Sequence, residues 1–196
     1  MRNKMLSLVS GSHVTGKVTD SFKVYDLKTY AYTFKYTDLT PAAKAFSPAD
    51  LTVLGTVIAE VAHGFVTGLK VQVTTAGTLP VGVVALTNYF VIKITADTYS
   101  LASSYANAVA GTPITVTDQG VGVQTVTPVA LAATVKIEKS VDRATFFDVA
   151  AATVISATGS TISKEVDIGY RWVRSTVVVT SGLLGLEVRL SGIAEF

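Results

Sequence analysis

The sequence predicts an all-β protein of short antiparallel strands, and three observations carry that reading. Leu184, Leu186, Val188 and Leu190 alternate with Gly185, Glu187, Arg189 and Ser191, the two-residue period of a strand with one buried face. Tyr30, Tyr32, Phe34 and Tyr36 repeat the pattern with aromatics, opposite Ala31, Thr33 and Lys35. The apolar content is largely Val, Ala and Leu interleaved with Thr, Ser and Gly, with no coiled-coil heptad, which is the texture of strands and turns.

At 196 residues the chain has room for one domain or two small ones. Charged residues make up 15% and the mean hydropathy is +0.48, yet no apolar run approaches the roughly 18 residues of a membrane-spanning helix. A chain this apolar is expected to bury surface against neighbours as well as within itself, as an assembly subunit does. The net charge of +2 implies no strong field toward nucleic acid or acidic membranes, and neither is expected as a partner. The absence of cysteine excludes disulfides and thiolate metal sites, and fits assembly in a reducing cytosol.

Taken in order, Met1-Arg2-Asn3-Lys4-Met5-Leu6-Ser7-Leu8-Val9 begins basic, like an export signal. Its apolar part is about five residues, short of the roughly 7–15 of a signal core. The segment is expected to be an arm whose Met5, Leu6 and Leu8 contact another subunit. Residues 14–27 alternate, with Val18, Phe22 and Val24 inward, broken by Gly16 and Asp20-Ser21. The row from Tyr30 to Tyr36 is a sandwich core if its rings are buried and a carbohydrate-stacking platform if they are exposed. Asp38-Leu39-Thr40-Pro41 ends that strand, and 42–50, bounded by Pro41 and containing Pro48, reads as a linker.

Residues 51–61 lead into a run of short elements. A turn at His63-Gly64-Phe65 and Thr67-Gly68 precedes a strand at 70–74, where Val71 and Val73 alternate with polar neighbours. Ala76-Gly77-Thr78-Leu79-Pro80 is a loop, because glycine frees the backbone and proline removes a donor. Strands are expected at 88–94 and 98–101 around an Ala96-Asp97 turn, then one or two helical turns within 103–110 and a strand at 112–117. Gly120-Val121-Gly122 turns the chain into 125–132. Beyond it, 135–139 alternates cleanly, 140–145 is a turn, and 146–149 the return strand. A turn at 156–160, strands at 162–168 and 176–179, and a turn at Ser181-Gly182 lead to the final strand.

The pattern His63, Gly64, Phe65, Gly68, Gly77, Leu79, Pro80, Tyr89, Val91, Leu101, Ala102, Asn107 and Ala108 resembles a module recurrent in bacteriophage virion proteins. The resemblance covers about sixty residues, and its signature is clearest at His63, Gly64, Phe65, Gly68, Gly77, Pro80 and Tyr89. Modules of this kind occur in tail, fibre and other surface parts of phage particles without an activity of their own, so the resemblance implies a particle component. The second half is similar to β-sandwich domains of phage structural proteins, through the segment from Lys136 to Asp142, Phe146-Phe147-Asp148-Val149, and the segment from Asp167 to Arg174. In those domains a Tyr-Asp-Leu-Lys strand followed by aromatics comes first, matching Tyr25-Asp26-Leu27-Lys28 and the row from Tyr30 to Tyr36.

Here about ninety residues separate the two parts. The resemblance therefore implies an antiparallel, jelly-roll-like sandwich from residues 1–40 plus 133–196, with 41–132 a small β module and its flanking linkers set into one loop. Such an insertion is cheap at a loop whose ends lie close together. Two domains in sequence would leave the aromatic face of the first forty residues short of partners.

Few residues are arranged for chemistry. His13 and His63 are the two histidines, too few for a metal constellation without cysteine, and His63 sits in a Gly-flanked turn. The chain has no Gly-x-Ser-x-Gly elbow and no Walker loop, and Gly120-Val121-Gly122 reads as a turn. A glycosidase needs two carboxylates across a cleft, whereas Asp142, Asp148, Glu165, Asp167 and Glu187 fall at turns or outward positions. Asp97, Asp118 and Asp142 are loop oxygens without EF-hand spacing. Arg171 and Arg174 flank Trp172 and Val173, a setting for a cation–π contact or an intersubunit ion pair.

The expectation is thus a non-enzymatic phage virion structural protein with no catalytic, metal or cofactor site, and Arg171, Trp172 and Arg174 join Met5, Leu6 and Leu8 as interaction residues. A capsid decoration (cement) protein is placed ahead of a small tail or fibre component, whether adaptor or host-receptor and glycan-binding module. The expected partners are copies of itself, as a trimer, and the major capsid protein or other virion proteins. The expected location is the virion, assembled in the host bacterial cytoplasm.

Overall fold

Where alternation is cleanest the chain forms long strands. A computed structural model describes residues 2–14, 17–18, 22–23, 27–52, 56–149, 151–166 and 171–194, with backbone alone at 2–10, 17–18, 22–23, 27–32, 161–166 and 190–194. The chain opens with β1 (Arg2–His13), β2 (Lys17–Val18), β3 (Phe22–Lys23) and β4 (Leu27–Asp38). There follow β5 (Lys44–Phe46), β6 (Leu51–Thr52), β7 (Val57–Ala59), β8 (Lys70–Thr75), β9 (Tyr89–Lys93), β10 (Thr98–Ala102), the helix α1 (Tyr105–Ala110) and β11 (Gln124–Pro128). The last strands are β12 (Ala132–Ser140), β13 (Phe147–Asp148), β14 (Thr153–Ile155), β15 (Gly159–Val166), β16 (Trp172–Ser181) and β17 (Leu184–Ala194).

The chain divides into two compact units, Met1–Leu39 with Leu131–Phe196, and Thr40–Ala130. The first is a sandwich of two antiparallel sheets. One sheet has the order β1-β17-β4-β15; the other has β13-β12-β16-β2, with β14 also on β12 and β3 also on β16. Phe34, Leu184, Leu186 and Val188 from the first sheet meet Ala133, Val135, Ile137, Val173, Val177 and Val179 from the second in one core. Each such side chain fully buried contributes about 1.5–3 kcal/mol relative to exposure. Of the aromatic row, Phe34 is buried and Tyr36 packs half-buried against the same core, so these two rings are core and not a stacking platform. The side chains of Tyr30 and Tyr32, like those of Val18 and Phe22, and all of Val24, lie outside the described residues.

The second unit is one seven-stranded sheet, β5-β11-β8-β9-β10-β7-β6. Its two edge strands are joined by the single 3-10 turn Pro48–Asp50, closed by Asp50 N–H donating to Ser47 O at 3.0 Å and Ser47 N–H to Asp50 Oδ2 at 2.8 Å, so the sheet rolls back on itself. Phe46, Leu51, Ile58, Val73, Leu101 and Val116 line its apolar interior. α1 is capped at both ends. Ser104 Oγ accepts from Asn107 N–H at 3.1 Å, and Gly111 takes the left-handed conformation (φ 70°) that glycine adopts without strain.

Several elements depart from expectation. The opening segment is not a free arm but β1, laddered to β17 from Arg2↔Ala194 to His13↔Leu184. Part of the expected linker is β5, which pairs with β11 and buries Phe46. Residues 112–117 are not a strand: Pro113 has no N–H, and Ile114 N–H and Thr117 N–H donate to Leu101 O and Val81 O at 2.8 and 3.2 Å instead of to a ladder. The return strand at 146–149 shrinks to β13, and β15 begins at Gly159, inside the expected turn.

Candidate functional site

The signature residues of the central module converge on its turns. Glu60 N–H donates to Asp97 O and Ala62 N–H to Asp97 Oδ1, both at 2.8 Å, which fastens the segment before His63 to the β9–β10 turn. His63 is 1% exposed, Nδ1 accepts from Phe65 N–H at 3.0 Å, and Nε2 lies 3.2 Å from Thr95 O. The ring hydrogen therefore sits on Nε2, and both nitrogens are spent on the protein's own backbone. The His63, Phe65 and Tyr99 rings pack mutually with centroids 4.9–5.3 Å apart, Phe65 meeting Tyr99 edge-on. Gly64 and Gly68 hold positive φ at the two bends, and Tyr89 Oη accepts from Val84 N–H at 2.8 Å. His63→Asn keeps an acceptor for Phe65 N–H but loses the ring packing, and is expected to cost about 2 kcal/mol in urea unfolding.

Tyr99 belongs to this cluster but escaped the sequence reading. Its hydroxyl is buried without a hydrogen-bond partner among the described residues, and burial, with Glu60 nearby, pushes its pKa far up. Tyr99→Phe removes a stranded polar group while keeping the ring, so the variant is expected to be as stable as the parent or about 1 kcal/mol more stable by thermal unfolding. A loss above that amount would mean that the hydroxyl is bonded.

A second convergence joins the loops at 76–82 and 115–122. Thr78 and Val121 form a two-bond bridge, Thr78 N–H to Val121 O at 3.0 Å and Val121 N–H to Thr78 O at 2.8 Å. Asp118 Oδ1 accepts from Val81 N–H and Gly120 N–H at 2.9 and 3.0 Å. Buried Pro80 lies within this clamp. The clamp holds up a set of exposed apolar side chains: Val81, Val84 (63%), Leu86 (67%), Val121 (66%) and Val123. Leu86 itself takes a left-handed φ of 58°, strain of about 1–2 kcal/mol for a residue with a Cβ.

The outer face of the sandwich's second sheet carries the third cluster. Glu138 pairs with Arg174 across the β12–β16 ladder, and Arg174 Nε donates to Glu138 Oε2 at 2.8 Å and Nη2 to Oε1 at 3.3 Å. Thr176 Oγ1 donates to the same carboxylate at 2.5 Å, and Lys136 Nζ bridges Glu138 and Asp148 at 3.2 and 2.8 Å. Burial pushes the Glu138 carboxyl up, but hydrogen bonds from Arg174, Thr176 and Lys136 outweigh it and hold its pKa down at about 2. Hydrogen bonds that Lys136 donates to Asp148 and Glu138 raise its own pKa. The Arg174 guanidinium lies 3.9 Å from the Phe146 ring centroid, and that of Arg143 lies 4.8 Å from Trp172.

Arg174 thus has an ion-pair partner and an aromatic ring within its own chain. Trp172 is half-buried under Arg143, and Arg171 is exposed with its N–H on Ser140 O at 3.0 Å. Met5, Leu6 and Leu8 lie on β1, at an edge of the first sheet. The side chains of these three lie outside the described residues. Glu138 escaped the sequence reading, although Lys136 and Glu138 alternate with Val135 and Ile137, which places both on one outer face. On the same face Val154 (74%) and Val178 (46%) are both register partners of Thr134, forming an exposed apolar row.

The carboxylates singled out for chemistry serve turns and neighbours. Asp142 Oδ1 accepts from Ser140 Oγ, Ala144 N–H and Thr145 N–H at 2.8–2.9 Å, and these bonds hold its pKa down at about 2. Glu187 pairs with Arg189, and Asp148 with Lys136. The side chain of Glu165 and all of Asp167 lie outside the described residues. Among the described residues no three His, Asp or Glu side chains come together as a metal site, and no helix is long and apolar enough to cross a membrane.

No family model and no curated protein sequence matches the chain. Two solved capsid-protein structures of bacteriophage P23-77 align with it. One is the complex of the major capsid proteins VP16 and VP17, at 11% identity and a TM-score of 0.26, covering 99% of each chain. The other is VP17 by itself, at 10% identity and a TM-score of 0.23, covering 98% of this chain and 97% of that one. At such scores the alignments specify neither fold nor function.

Proposed function

We propose that this chain is a non-enzymatic structural protein of a bacteriophage virion, and that it works as a capsid decoration protein, bridging neighbouring shell subunits. The observation that carries the reading is the exposed apolar set on the clamped loops, Val81, Val84, Leu86, Val121 and Val123. Residues 76–88 carry no charge, and the backbone bridge beneath them fixes their shape. An apolar surface held in this way, whose neighbouring Asp118 is engaged by the N–H groups of Val81 and Gly120, is suited to burial against another protein, and little conformational entropy is lost on docking. The resemblance of the central module to parts of phage particles supports the same reading, as does the use of its signature residues in turns and core. Each bound copy stabilises the assembled shell by mass action.

The sandwich and the Thr40–Ala130 unit, in this account a module set into one of its loops, supply surfaces and no chemistry. Burial of Phe34, and the packing of half-buried Tyr36 against the same core, weigh against the glycan-stacking alternative. The test is the mass of the purified chain by light scattering, followed by co-sedimentation with empty shells of the same phage. Saturable binding at a fixed stoichiometry supports decoration. A stable oligomer that ignores shells but binds purified tails moves the assignment to a tail or fibre component. A chain that binds no part of the particle refutes the reading.

A further inference from the structure

The first sheet of the sandwich ends in two edges, β1 with two basic residues and no acid and β15 with one of each. β1 has β17 as its one neighbour among the described strands, and β15 has β4. Neither strand contains proline, the residue that most simply blocks edge pairing. A register shift between Ser7 and Val9 interrupts β1 but leaves Arg2 to Ser7 regular. The adjacent ladders are all antiparallel, so β1 and β15 run in opposite directions. The ladders also set a common row across the sheet: Lys4 pairs with Gly192, Gly192 with Tyr30, and Tyr30 with Glu165.

Resting on the virion reading above, we infer that β15 of one copy adds to β1 of a second copy, continuing the sheet head to tail between subunits. The directions already match an antiparallel ladder, and an unsheared continuation sets Glu165 opposite Lys4. β1 carries Arg2 and Lys4 and no acid, so pairing β1 with another β1 brings cations together, whereas β15 carries Lys164 and Glu165 and its register sets the carboxylate, not the adjacent lysine, in the row of Lys4. The contact is heterologous and therefore builds a closed ring or an open chain of subunits, according to the rotation between copies.

The chain has no cysteine, which allows a clean cross-linking test. Within one copy positions 4 and 165 stand three strand spacings apart, about 14 Å, beyond the roughly 7 Å that a disulfide spans. The full-length K4C/E165C variant is therefore expected to form a ladder of disulfide-linked multimers on mild oxidation, reversed by reductant, while K4C alone and E165C alone stop at dimers. A double variant that cross-links no further than the singles overturns the inference. If the cysteines disturb folding, charge exchange decides instead. Lys4→Glu is expected to weaken self-association at least tenfold by light scattering, and Lys4→Glu with Glu165→Lys to restore it; equal association of all three proteins overturns the inference. A chain that binds shells yet forms no such ladder loses this interface and keeps the virion role.

Discussion

Gly77→Ala is expected to destabilise the Thr40–Ala130 unit by about 3 kcal/mol, through overpacking and the loss of the bridge beneath it. A Cβ at this position would lie 2.1 Å from Val121 O and 2.9 Å from its carbonyl carbon. Neither atom is the free end of a side chain. Val121 is held by its two hydrogen bonds to Thr78, so relief requires opening that bridge and shifting the exposed set that it supports. Gly111 is the contrasting case: its φ of +70° is left-handed, but a Cβ there meets nothing within 4 Å, so Gly111→Ala should cost only the backbone strain of about 1 kcal/mol. Urea unfolding of the two variants separates the cases. Equal costs would mean that the loop clamp is not packed as described.

The sandwich is expected to lose about 3 kcal/mol of stability to acid through Glu138 alone, since each unit of pKa shift is worth about 1.4 kcal/mol. Burial opposes ionisation of this carboxyl, yet the hydrogen bonds from Arg174, Thr176 and Lys136 bring it from 4.5 down to about 2. A carboxyl lowered on folding contributes its full stability above the unfolded value, and that contribution disappears as pH falls through the folded value. The loss therefore falls between about pH 4.5 and pH 2. Asp142, held down by its turn N–H groups, titrates in the same direction. Glu138→Gln should be less stable than the parent near neutral pH, because Arg174 keeps its burial but loses its counter-charge. The gap should close as the pH approaches 2. A gap that stays constant with pH would assign the destabilisation to packing and not to the ion pair.

Where a strand's own face decides its fate, the sequence was sufficient. Leu184, Leu186 and Val188 alternate and are buried, and so do Val71 and Val73. Where a distant partner decides, local pattern misleads. Lys44-Ala45-Phe46 looks like a linker between prolines until Gln124 to Val126 pairs with it. Met5 to Val9 reads as an arm until Val188 to Ser191 lies alongside. The β-branched run at 112–117 has strand propensity, but Pro113 and the carbonyls of Leu101 and Val81 draw its backbone bonds elsewhere.

The same division holds for the candidate sites. The Gly-flanked turn at His63 was legible, because Gly64 and Gly68 mark bends, but its packing on Tyr99 depends on a hairpin partner 36 residues away. Glu138 and Arg174 are likewise separated by 36 residues, and only the β12–β16 register sets one opposite the other. The clamp between Thr78 and Val121 was visible as two glycine-containing loops. That they fasten each other, and hold five apolar side chains in water, is a consequence of the rolled sheet.

Decoration makes one measurement decisive: the temperature at which empty shells of the same phage rupture, followed by scattering as the purified chain is titrated in. A saturable rise in rupture temperature that tracks occupancy is expected, reduced when Gly77→Ala disturbs the clamped loops. Shells that bind the chain yet rupture at the same temperature as bare shells would contradict it.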